Sequence, residues 1–97
     1  MVHVQSPDTE QEPLVKVGAS SSSKDVAAVI ANYLYEGKRV RVRAIGAGAV
    51  NQSVKACAIA RGYAAQRSID LVIRPGFETV TGNDGDASSI VLLVLPN

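Results

Sequence analysis

Between Arg39 and Tyr63 the hydrophobic period of the chain changes once, and that change constrains everything packed around it. Arg39, Arg41 and Arg43 alternate with Val40, Val42 and Ala44, the period of two expected of a strand with one wet and one buried face. From Val50 onward the apolar positions Val50, Val54, Cys57 and Ala58 fall on one helical stripe, which Ala56, Ile59, Ala60 and Tyr63 extend. Asn51, Gln52, Ser53 and Lys55 form the polar sector of the first turns. Gly46 and Gly48 therefore mark a strand-to-helix turn, where glycine tolerates positive φ and lets another backbone or an anion approach. The helix that follows points unpaired N–H groups and the positive end of its dipole at that turn.

The flanking segments fit around this unit. Leu14 to Val17 reads as a short strand, with Val15 and Val17 on one face and Leu14 and Lys16 on the other. Gly18 ends it, and Ser22 with Asp25 makes a Ser-x-x-Asp capping pattern ahead of a helix carrying Val26, Val29, Ile30, Tyr33 and Leu34. Gly37 stops that helix. Ile69 to Ile73 is a third strand that Arg74-Pro75-Gly76 disturbs or ends. Thr81 to Asp86 reads as a hairpin loop into a last strand, Ile90 to Leu95, which has no polar residue and is expected to be buried on both faces. The order β-α-β-α-β-β predicts an α/β two-layer sandwich, a mixed four-stranded sheet with two helices on one face. Two helices cover only one face, so self-association, as a homodimer or higher homo-oligomer, is expected to cover the other, and the second helix, apolar on more than one side, is expected to meet the first helix or another subunit as well as the sheet.

Residues 1–13 are read as a disordered acidic tail and 14–97 as one domain. The tail holds Asp8, Glu10, Glu12 and the lone His3, but no Lys or Arg. The overall charge of +1 therefore conceals a body of +4, and the span from Lys16 to Arg74 holds all ten basic residues against Asp25, Glu36 and Asp70. Such a body suits an anionic partner and equally serves solubility. The longest apolar run, Ile90 to Leu95, is too short to cross a bilayer, and an export signal is not evident, so a cytoplasmic location is expected.

Catalysis is set aside. No histidine lies within 14–97, Cys57 sits on an apolar stripe, and the carboxylates are scattered without an acid–base pair or a metal-ligand spacing. No cofactor is expected, because Asn51 stands where a dinucleotide fingerprint needs its third glycine, and no Gly-Lys-Ser/Thr follows. Asn83-Asp84-Gly85-Asp86 lacks the acidic ladder and closing glutamate of a calcium loop. Tyr33, Tyr35, Tyr63 and Phe77 lie off the arginine strand, so the aromatic-and-basic platform of a single-strand RNA binder is missing.

The segment Ala44-Ile45-Gly46-Ala47-Gly48-Ala49-Val50-Asn51-Gln52-Ser53-Val54-Lys55-Ala56, continued by Ala58-Ile59-Ala60-Arg61-Gly62-Tyr63, closely resembles the stage V sporulation protein S family. The resemblance runs from Leu14 to Pro96 and includes the serine-rich loop and Asp70-Leu71. It implies an Alba-like fold, an architecture whose members, among them Alba proteins and the C-terminal domain of translation initiation factor three, commonly bind DNA or RNA. It also implies a regulatory role in sporulation or development. One departure stands out, since Alba proteins typically carry paired lysines near strand one, whereas this chain offers Lys16 and Lys24 there and alanines at 47 and 49. The expected nucleic-acid site comprises Gly46, Gly48, Asn51, Gln52 and Lys55, with Lys24 and Arg43 in reach, and with Gly48 and Asn51 donating backbone N–H groups. The alternative is a homo-oligomeric protein-interaction module, in which Gly46 and Gly48 serve packing and the arginines form a solvated face.

Overall fold

A parallel pair and an antiparallel hairpin share one sheet in the computed structural model, which describes residues 12–97. The expectations for His3, Asp8, Glu10 and most of the acidic tail lie outside the described residues. The elements are β1 (Leu14–Val17), α1 (Ser23–Tyr35), β2 (Val40–Ala44), α2 (Ala47–Ala65), β3 (Leu71–Gly82) and β4 (Gly85–Pro96). Their spatial order is β1-β2-β4-β3, with β1 parallel to β2 and both other pairings antiparallel. This is the β-α-β-α-β-β mixed sandwich that the patterning predicts, and both helices lie on one face of the sheet.

Residues opposite one another across a ladder share a face. Val40, Val42 and Ala44 pair with Val94, Leu92 and Ile90 under the helices, and Val17 joins them from β1. Ile30 and Leu34 of α1 close this core. Ser22 caps α1 by accepting from the Asp25 N–H at 3.2 Å. Gly37, at φ 81°, ends it with N–H donation to the Leu34 carbonyl.

Four details differ from the sequence reading. First, α2 begins at Ala47, three residues ahead of the Val50 expected, because the Gly-Ala-Gly-Ala run is itself helical after Gly46. Second, its buried stripe is Ala49, Ser53, Ala56, Cys57, Ala60 and Ala64, while Val54 is 47% exposed. Small side chains let α2 approach its neighbours closely, and Ser53 satisfies its hydroxyl by donating to the Ala49 carbonyl at 2.9 Å. Third, Arg74-Pro75-Gly76 does not end β3. The strand lies at the edge of the sheet, where a proline is admitted, and it runs on to a two-residue Asn83-Asp84 turn closed by the Gly82–Gly85 pair, with Gly85 at φ 108°.

The fourth concerns β4, whose outer face is buried at Ser89 and Leu95 but not between them. Leu92 and Val94 are buried beneath the helices, whereas Val91 and Leu93 on the outer face are half-buried beside their cross-strand neighbours Arg43 and Arg41. Those arginines are clasped by one carboxylate. Arg41 donates to Glu78 Oε2 at 2.7 Å, and Arg43 donates to Glu78 Oε1 through Nε at 2.9 Å and Nη2 at 2.6 Å. At the amino end of β1 the Pro13 carbonyl accepts from the Arg41 N–H, and the Glu12 carboxylate pairs with Arg39.

Candidate nucleic-acid interface

The strand-to-helix turn takes its shape from Gly46, whose φ of 91° and ψ of 157° belong to a region that side chains disfavour. It serves as the α2 N-cap without any side-chain cap. The first N–H in the helical ladder is that of Val50, donated to the Gly46 carbonyl at 3.0 Å, so the N–H groups of Ala47, Gly48 and Ala49 precede the ladder. Gly46, Ala47 and Gly48 are exposed. Gly48 thus stands where a free N–H was expected. Asn51 does not, since its N–H falls inside the helix, leaving only its exposed side chain for a ligand.

The loop after β1 is pinned against this turn. A Cβ on Gly48 would come within 2.9 Å of the Ala19 Cβ, so the glycine is what allows loop and helix to touch. Gln52 donates from Nε2 to the Ser21 carbonyl at 2.7 Å, which commits its amide to holding the loop. Within the loop the Gly18 N–H donates to Ser21 Oγ at 2.9 Å, and Ser22 caps α1. The amino ends of α1 and α2 are therefore brought side by side. Lys24 is exposed in the first turn of α1 beside the exposed Asp25, and Lys55 is exposed on α2.

Arg43 belongs to a different surface. Its guanidinium lies on the outer sheet face in the Glu78 clasp, away from the helices. It lines a cleft of about 430 Å³ at the carboxyl ends of β1 and β2, together with Lys16, Val17, Gly18, Ile45 and Val80. Glu78, Lys16 and Ile45 were not among the expected site residues. Alternation puts Lys16 on the wet face of β1, but only the parallel register sets it opposite Arg43.

Cys57 is buried, and burial pushes its thiol up to about 11, which removes it as a nucleophile near neutral pH. Among the described residues no cluster of three His, Cys, Asp or Glu could hold a metal, and no helix is long and apolar enough to cross a membrane.

A solved Alba structure from Thermoplasma volcanium superposes on this chain with a TM-score of 0.58 at 18% sequence identity, covering 87% of this chain and 99% of that one. The fold is thus Alba-like. The family model of stage V sporulation protein S matches residues 13–97, which include the turn, both helices and the long hairpin. The chain belongs to the stage V sporulation protein S family.

Proposed function

We propose that the chain is a nucleic-acid-binding regulator of the sporulation or development type, and that it holds phosphate groups at the paired amino ends of α1 and α2. The observation that carries this reading is the pinning of loop 18–22 against turn 46–48, which gathers two helix dipoles and exposed backbone N–H groups beside Lys24, with Lys55 exposed eight residues into α2. Lys24 stands in the first turn of α1, where the dipole disfavours a cation. An anion bound there turns that local conflict into an attraction. The basic span from Lys16 to Arg74 supports the reading, as do the folds with which the family is allied.

Lys24 and Lys55 act as point charges on phosphates, so either change to alanine lowers the slope of log affinity against log salt by about 0.9 on a duplex, without altering sequence preference. The test is a salt titration of binding to a duplex and to a single strand, on wild type, Lys24→Ala and Lys55→Ala, each first confirmed as folded. Failure of the wild type to bind either at low salt overturns the reading.

Self-association is a second property with its own observation. The mainly apolar groove of about 370 Å³ between α2 and β3 is lined by Val54, Cys57, Leu71 and Ile73 among others, with Arg61 the one charged residue in it. Phe77, 83% exposed, lies further along the same strand. We place the surface joining copies of the chain here, along α2 and β3, rather than on the outer sheet face; the sequence reading pointed to both the apolar surface of this helix and that face.

A further inference from the structure

We propose that the cleft at the carboxyl ends of β1 and β2 takes one unstacked nucleotide of a single-stranded nucleic acid, its phosphate at Lys16 and its base against Arg43, Ile45 and Val80. The proposal rests on the nucleic-acid reading above and deepens it to a preference for single strands. The cleft's volume of about 430 Å³ lies within the range of about 300–1,000 Å³ usual for small-molecule sites. Its lining is mixed as a nucleotide is mixed, with two cations set beside aliphatic walls. Lys16 and Arg43 are register partners on the outer face, and Lys16 makes no salt bridge among the described residues. Ile45 is 48% exposed immediately before Gly46, a place where no element of this fold buries it.

Glu78 is what makes the cleft more than a patch of charge. By accepting from both Nε and Nη2 of Arg43 it fixes the guanidinium plane, and a fixed plane stacks on a base with little loss of side-chain freedom. Because the same carboxylate also serves Arg41, two guanidiniums share one negative charge and the face stays positive. A duplex can offer phosphates to this surface, but its bases are stacked inside and out of reach of Ile45 and Val80. Gly18 and Ile45, which line the cleft, flank the loop and turn that hold the helix amino ends, so one strand can cross from those N–H groups to the cleft.

The test measures fluorescence anisotropy of a short labelled single strand, as RNA and as DNA, against a duplex of the same sequence, on the full chain. Ile45→Ser and Val80→Ser are each expected to weaken single-strand binding about tenfold while leaving duplex binding and the melting temperature unchanged. Lys16→Ala is expected to lower the single-strand salt slope by about 0.7. Serine variants that affect both nucleic acids alike, or neither, overturn the cleft proposal while any effect of Lys24→Ala or Lys55→Ala on the duplex keeps the broader function. Displacement of the single strand by polyglutamate at equal charge concentration would mark a general anion surface and also overturn it. A wild type that binds neither nucleic acid fails both readings together.

Discussion

Gly46 and Gly48 stand two residues apart and are glycines for different reasons. At Gly46 the constraint is the backbone, since φ 91° with ψ 157° is strained for any side chain, and Gly46→Ala is expected to cost about 1–3 kcal/mol. At Gly48 the backbone is helical and the constraint is Ala19. Gly48→Ala gains about 1 kcal/mol of helix propensity but introduces an overpacking cost of about 1–3 kcal/mol, so a net loss near 1 kcal/mol is expected. Urea denaturation of Gly48→Ala, Ala19→Gly and the double variant separates the two effects. A favourable coupling of about 1 kcal/mol in the double variant identifies the contact, whereas additivity would remove it. Only half of this was legible in the sequence. A strand period giving way to a helix period announces a turn glycine, but no local pattern says that Ala19 will lie over Gly48. Ser53 and Glu78 were hidden for the same reason, because a buried serine and a shared carboxylate are defined by what packs against them.

Among the elements, the β3–β4 hairpin departs furthest from its sequence pattern. A continuous apolar run marks only the part of the hairpin that joins the sheet, Ile90–Val94 opposite β2, and the sequence placed a strand there while expecting more cover on its outer face than the structure gives. Beyond Phe77 and Ile90 the two strands pair only with each other, Glu78 reaching back to the arginines of β2, and Thr79, Thr81, Ser88 and Asp86 carry no core signal. Hydrogen bonding between two strands, unsupported by burial, leaves no trace in a hydrophobic period. Such a ribbon is marginally stable by itself. Hydrogen exchange followed by mass spectrometry should therefore find amides of 79–88 exchanging much faster than those of 90–95. Equal protection along the hairpin would mean that another surface covers its outer half. This arm also holds Glu78, Asp84 and Asp86 and no Lys or Arg, so it is poorly suited to follow a phosphate backbone.

At the scale of the molecule, the two surfaces have separate characters. The loops at the helix amino ends and the outer sheet face carry cations, while the helix side along β3 presents Val54, Ile73 and Phe77, each at least 36% exposed. Light scattering at micromolar concentration is expected to give about twice the 10.1 kDa of the chain, and Ile73→Asp with Phe77→Asp to return it to one chain without lowering the melting temperature. A wild type that scatters as a single chain would sink this placement. The layer architecture was legible because period, glycine and capping signals agreed with one another, and so was the surplus apolar surface of α2; that Ile73 and Phe77 of β3 continue it was not, since that depends on how far two helices reach across four strands. The edge strand bears on what kind of assembly can follow. Pro75 has no N–H to lend, and it interrupts the outer row of β3 at mid-strand, between Ile73 and Phe77. A row of donors broken there cannot template a further strand, so the most apolar edge of the chain is guarded against the endless strand-on-strand stacking that leads to fibres.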